Sequence, residues 1–276
     1  TVIKLGLGSI PPMLLVVLRY TFAAVPAIIF VKRPAAGWRY IILYGMTVGV
    51  GQFACLFYAM NIGMPASVAS VVLQSQAFFT LLFAAILLKE SIKQSQIIGL
   101  TVAGLGLYLI SGNVESNGFA AIPPEPFLLT LLGAAFWGLS NIIVRHADKK
   151  SISNGEHLDM LSLVVWSSLI PPIPLLAFAL VLDTPEVLWQ AVTNITAVSV
   201  FAVLYLAFGA TLFGFYTWSL LLAKYSAGKV APLSLLVPVT GLITAQIVLG
   251  EQLSKMQWLG CIIIILGLMI ANFAKP

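Results

Sequence analysis

Residues 87–92 read LLKESI and residues 248–253 read VLGEQL, and the reading of this likeness decides the fold. In each stretch an apolar run of helix length closes on a single glutamate, Glu90 or Glu251. Laying one glutamate over the other also brings Tyr44 onto Tyr205, Ala66 onto Ala227, Gly99 onto Gly260 and Gly106 onto Gly267. A looser match sets MLLVVLRY, from Met13, on MLSLVVWS, from Met160. The chain therefore reads as two copies of one repeat, 1–112 and 126–276, joined by a polar loop over 113–125.

Outward from these glutamates the sequence is a succession of long apolar runs. A helix that crosses the hydrocarbon of a bilayer needs about 20 mostly apolar residues. Runs of that kind cover 11–31, 38–61, 65–88, 93–112, 126–146, 157–182, 197–222, 226–249 and 256–274. Thr1–Gly8 reads as the tail of one further helix, stopped by Gly8-Ser9-Ile10-Pro11-Pro12. The chain opens without a methionine, so the start of that helix is expected upstream. The expected fold is an all-α polytopic membrane protein of ten transmembrane helices, the first only partly present, five in each repeat. Five is odd, so the second repeat enters the bilayer from the opposite side, which makes an inverted repeat of the kind that underlies alternating access. A short amphipathic stretch, Glu186–Thr193, is expected to lie along the membrane surface.

Composition agrees. The chain has 276 residues, of which 60% are hydrophobic and only 8% charged. A soluble domain carries about 25% charged residues, so this sequence has no means of coating itself for water, and the surrounding lipid bilayer is its first partner. The net charge of +5 does not indicate nucleic acid. Basic residues occur one to three at a time between apolar runs, without the clustered face that nucleic-acid binding needs. Alternating sides through ten spans places Lys32, Arg33, Arg39, Lys89, Lys93, Arg145, Lys149, Lys150, Lys224, Lys229 and Lys275 together, against Lys4 and Lys255. The positive-inside rule then makes both termini cytoplasmic, and omitting any one span destroys the partition.

The polar residues inside the spans are few. Arg19 is the single charge well within one, and burying it costs at least about 2.5 kcal/mol. It can clamp a substrate carboxylate, snorkel to the interface, or bond helix-end carbonyls. In PASVASVVLQSQAFFT, residues 65–80, Ser67, Ser70 and Gln74 share one helix face while Gln76 and Thr80 share another. Gln52, Trp137, Asn141, Trp166, Tyr205 and Tyr216 complete an amphipathic set, each open to a packing role or to ligand contact. Pro26, Pro172, Pro174, Pro232 and Pro238 interrupt spans, either freeing carbonyls for water or ligand or only kinking the helices. Glycines at 45, 49, 51, 99, 104, 106, 209 and 214 suit close helix approach. Cys55 and Cys261 read as buried apolar side chains.

No catalytic set, metal-ligand spacing or phosphate-binding loop appears, so neither an enzyme nor a cofactor protein is expected, and no metal. No carboxylate lies mid-membrane; Glu90 and Glu251 sit at helix ends.

The stretches NIGMPASVASVVLQSQAFFT, VAPLSLLVPVTGL, MLSLVVWSSLIPPIPLLAF and LYLAFGATLFGF, together with the five-plus-five repeat, resemble the EamA family of the drug/metabolite transporter superfamily. Within it they are most similar to the subgroup that exports O-acetylserine and cysteine. The resemblance runs from Thr1 to about Phe273. It implies an inner-membrane exporter of small amino-acid metabolites working through a central cavity, with a small-molecule amino-acid substrate; aromatic amino acids, nucleobases or drugs are the alternative cargo. The family matches put Gln74 and Gln76 (LQSQ), Pro232 and Ser234 (APLS) and Arg19 (LRY) among the substrate-binding residues. The Trp-Gly of the family's first helix is missing, and Trp137-Gly138 stands at the repeat-related place. Whether the protein pairs as a homodimer is left open.

Overall fold

The computed structural model describes residues 6, 9–64, 69, 71–111, 124–249 and 255–273. The helix remnant expected over 1–8, apart from Gly6, lies outside the described residues, as do Ser67, Ser70, Glu251 and the loop over 113–123.

Among the described residues the chain is helical throughout. We label its helices α1 (Pro12–Ile28), α2 (Trp38–Asn61), α3 (Leu73–Leu88), α4 (Gln94–Ser111), α5 (Pro124–Ser153), α6 (Met160–Leu182), α7 (Pro185–Thr193), α8 (Ala197–Lys224), α9 (opening at Ala227 and ending at Leu249) and α10 (Lys255–Phe273). Helices α2, α5, α6 and α8 are long and apolar enough to cross a bilayer, and five shorter apolar helices accompany them. All nine fall on the runs read from the sequence. The stretch expected at the membrane surface forms the helix α7: Thr184 caps it, its hydroxyl accepting from the Val187 N–H, with Leu188 buried and Trp189 69% exposed.

Local chemistry explains the starts and breaks. Pro12 opens α1, where an absent N–H costs nothing. Asp159 opens α6 by accepting from the N–H groups of Leu161 (3.1 Å) and Ser162 (3.3 Å). Glu125 and Lys150 sit at the dipole-favoured ends of the 30-residue α5. The prolines of α6 act as expected: Pro171, Pro172 and Pro174 each lack the N–H that an α-helix needs, and the helix is interrupted between Ser167 and Pro172. There the backbone tightens, Leu169 N donating to Trp166 O and Ile170 N to Ser167 O. Two features were not read from the sequence. Helices α2 and α8 widen into π-helix over Gly45–Gly51 and Tyr205–Phe215, stretches that overlie one another in the repeat. Helices α3 and α9 tighten into 3-10 turns over Leu73–Ser75 and Ala231–Leu235, which also overlap in the repeat.

The chain forms two compact units, and each draws on both repeats: unit 1 holds residues 1–57 with 143–224, unit 2 holds 58–142 with 225–276. In unit 1, α2 passes the break in α6 at backbone distance. A Cβ at Gly45 would lie 2.6 Å from the Ser167 carbonyl oxygen, and one at Gly49 would overlap the Pro171 ring.

In unit 2, α4 and α10 pack antiparallel. A Cβ at Gly99 would stand 2.5 Å from Gly267 O, and one at Gly106 2.7 Å from Gly260 O. Gly99 overlies Gly260 in the repeat and Gly106 overlies Gly267, so the contact maps onto itself with the partners exchanged. That exchange is the mark of a two-fold relation between inverted repeats. Leu100, Ala103, Leu235, Cys261 and Ile264 fill the adjoining core. Cys261 is thus a packed apolar side chain, as expected, whereas Cys55 is only half-buried; both are free thiols.

Candidate functional site

In unit 1 the site forms around Arg19. The first turns of α1 bury its side chain to 6% exposure. Nε donates to the Thr211 hydroxyl at 2.6 Å, and that hydroxyl donates in turn to Leu206 O at 2.9 Å inside the π-helical stretch of α8. The guanidinium carbon lies 5.0 Å from the Phe53 ring centre, 5.3 Å from Phe215 and 5.4 Å from Tyr20. Three π faces offset part of the cost of removing the cation from water. Among the described residues no acid pairs with Arg19, and its two terminal amino groups take no protein acceptor. Arg19 is thus buried, and the hydrogen bond it makes among the described residues is to a hydroxyl rather than to a helix-end carbonyl. Gln52 stands in the same unit, buried, and its Oε1 has no hydrogen-bond partner among the described residues; the Tyr20 hydroxyl has none either. A buried cationic fork with an orphaned acceptor in the same unit suits a solute that carries a carboxylate and an ammonium.

The other unit 1 candidates are placed differently. Trp166 is half-buried, packs edge-on against Trp38 at 5.9 Å, and spends its indole N–H on Val31 O at 3.2 Å. Tyr205 is 50% exposed beside Phe201. Its repeat mate Tyr44 is buried, with its hydroxyl 3.4 Å from that of Ser219. The repeat thus equates two tyrosines whose surroundings differ.

In unit 2, Gln76, Thr80, Asn141 and Ser234 meet in one buried knot. Gln76 Nε2 donates to the Ser234 hydroxyl; Gln76 Oε1 accepts from Asn141 Nδ2 and from the Thr80 hydroxyl, each at 3.2 Å. Asn141 also donates to Thr80 Oγ1 at 2.9 Å, and Ser234 to Ala231 O at 2.8 Å. The knot ties α3 to α5 and to the 3-10 turn of α9, where Pro232 is buried. Gly138 lets α5 approach α3: a Cβ there would lie 2.8 Å from Phe79 Cβ. Trp137 is half-buried on the same helix, its carbonyl accepting from Ser140 at 2.7 Å. Gln74 is buried, and among the described residues neither its Oε1 nor the neighbouring Ser75 hydroxyl has a hydrogen-bond partner.

Since every polar atom of Gln76 is satisfied by protein, its first role is to join helices. Gln76→Leu, which keeps the volume, is expected to cost about 1–3 kcal/mol by removing the hydrogen bonds that Gln76 shares with Asn141, Thr80 and Ser234. The thermal midpoint of the purified protein reads this, and an unchanged midpoint would leave the knot without a structural role.

Sequence reading missed Thr211, whose signal was a hydroxyl within the apolar run FGATLFGF, and the rings of Phe53 and Phe215, which look like ordinary span residues. It also missed Arg145, which is buried at 8% exposure and donates to Leu222 O at 2.9 Å near the end of α8.

Comparison with known proteins places this architecture. A solved crystal structure superposes with a TM-score of 0.81 at 19% identity, covering 98% of this chain and 90% of its own, which speaks for the fold alone. Two curated proteins, each named probable amino-acid metabolite efflux pump, are similar over 273 residues. That of Salmonella typhimurium is 42% identical and that of Escherichia coli K12 41% identical, with 99% of this chain and 89% of each relative covered. The EamA-like transporter family model matches residues 1–112 and 126–273. The chain is a multi-pass membrane transporter rather than an enzyme, and it belongs to the EamA-like transporter family.

Proposed function

We propose that the protein exports small amino-acid metabolites, cysteine and O-acetylserine among them, from the cytoplasm across the inner membrane. The observation that carries this reading is Arg19, a buried guanidinium held by Nε and ringed by aromatics, with its terminal amino groups free of protein acceptors among the described residues. Such a fork takes a carboxylate through two parallel hydrogen bonds. The unpartnered Oε1 of Gln52 is an acceptor for the ammonium of the same solute, and Gln74 offers a like acceptor in unit 2. Within unit 2 the knot of Gln76, Asn141, Thr80 and Ser234 fixes α3, which carries Gln74, against α5 with Trp137 and α9 with Pro232, and within unit 1 Trp166 and Tyr205 are the further candidates.

Alternating access is supported by the self-mapping contact of α4 with α10, since two copies of one fold can exchange conformations. Cytoplasmic termini follow from the lysine and arginine partition.

Cells expressing the full chain are expected to release labelled cysteine and O-acetylserine faster than cells without it. A competition panel in vesicles ranks the cargo. Failure to move either solute, with aromatic amino acids or nucleobases moved instead, would replace the cargo assignment.

A further inference from the structure

Unit 2 contains a cavity of about 390 Å³ apart from the groups assigned above. It lies where α3 ends and where α4 and α9 begin, bounded also by Ala271 of α10. Its polar lining consists mostly of donors: Lys93, Lys229, Ser91, Ser95, Ser226 and Gln96.

Gln96 sets the character of the cavity. Its Oε1 accepts from the backbone N–H of Lys93 at 3.0 Å, the reach-back half of a capping box that starts α4. This bond fixes which way the amide faces. The side chain is 6% exposed and lines the cavity, and its Nε2 has no protein acceptor among the described residues. The amide lies over Gly228, where a Cβ would overlap Nε2. Ser226 precedes α9 without capping it, so its hydroxyl is not engaged at the helix start. Lys93 and Lys229 are exposed at the rim. Among the described residues Glu90 is the one acid of the lining, and there two lysines against one glutamate leave a single net positive charge.

We propose that this cavity binds a phosphate-bearing anion, held by Lys93 and Lys229 at its rim and by the Gln96 amide at its base. A phosphate group presents acceptors only, which is the complement of a lining of ammonium, hydroxyl and amide donors. The same chemistry is offered by the headgroup of an anionic lipid and by free phosphate. A basic pocket at the ends of membrane helices is suited to the first.

The test uses the full chain purified in detergent, a Lys93→Gln/Lys229→Gln double variant and a Gln96→Leu variant. Native mass spectrometry reads binding of phosphatidylglycerol and, as control, phosphatidylcholine; equilibrium dialysis reads binding of labelled inorganic phosphate. The lysines are exposed, so their replacement leaves the packing intact, and Gln96→Leu keeps the volume with both lysines present. Each lysine near a membrane surface contributes about fivefold to the binding of an anionic headgroup, so the double variant is expected to bind phosphatidylglycerol about 30-fold more weakly, with phosphatidylcholine unaffected. Saturable phosphate binding lost in both variants would assign the site to the free anion. Equal binding of phosphatidylglycerol and of phosphate by wild type and both variants would overturn the proposal. No arm reads export, so the outcome is independent of the transported solute.

Discussion

Arg19→Met is expected to reduce export at least about 30-fold while leaving the thermal midpoint unchanged or higher. The two halves of this expectation have separate physical sources. Removing one partner of a desolvated charge pair costs about 2–5 kcal/mol of binding, and each 1.4 kcal/mol is tenfold; that loss falls on a solute whose carboxylate meets the guanidinium. Stability should move the other way. A buried charge with no acid beside it among the described residues is a burden on the fold, and replacing it with an apolar side chain of similar length is neutral or favourable. The hydroxyl of Thr211 keeps its own bond to Leu206 O, so the substitution orphans no buried group. Export kinetics and a thermal melt on the same preparation decide the matter. A midpoint that falls as far as export does would make Arg19 a strut, and the carboxylate clamp would be abandoned. Arg19→Lys sharpens the comparison: it keeps the charge but loses the fork, and should recover only part of the export.

Gly99→Leu is expected to prevent unit 2 from packing and so to remove the protein from the membrane fraction. Even a single methyl at this position would stand 2.5 Å from both Gly267 O and Ala271 N. These are backbone atoms of a helix and cannot turn aside, so α4 and α10 must separate along their length. Overpacking of this kind costs about 3 kcal/mol for one methyl group and more for a leucine. Gly104 supplies the control, because a Cβ there meets nothing nearer than Phe78 Cζ at 3.9 Å. Gly104→Ala should leave expression and melting unchanged. Wild-type accumulation of Gly99→Leu would show that the α4–α10 contact is not what holds unit 2 together.

How much of this was legible beforehand depended on whether the signal was local. The break in α6 ahead of Pro172 was readable because proline acts on its own backbone. The glycines were readable as packing residues, and the repeat gave their equivalences. It did not give the pairing, which runs crosswise from Gly99 to Gly267 and from Gly106 to Gly260. Arg19 announced itself by its cost. Its partner Thr211 did not, since one threonine in an apolar run costs little and the bond joins positions far apart in sequence. Gln76 and Asn141 were singled out separately as ligand contacts; that they satisfy each other could not be read, because α3 and α5 are brought together only by the fold. Tyr205 was read as one of an amphipathic set and as the repeat mate of Tyr44; that the two repeats place these residues in different surroundings was not legible, because it depends on neighbours the fold supplies. The π-helical stretches left only a hint, the glycines of YGMTVGVGQF and FGATLFGF.

The interleaving of the two units has a consequence for biogenesis. Unit 2 takes its second part from residues 225–276, which leave the ribosome after everything else described here. Helices α3 and α4 are thus inserted long before α9 and α10 exist to cover them. They can wait because a spanning helix satisfies its own backbone within the lipid, but during that interval Gln76 and the flat face at Gly99 lack the α9 and α10 groups that complete their contacts. Unit 1 can close as soon as α8 has been translated, so one body matures while the other is still an open array of helices. The order of synthesis thus becomes an order of assembly, and damage to α10 stops the chain at its last step, before unit 2 has closed.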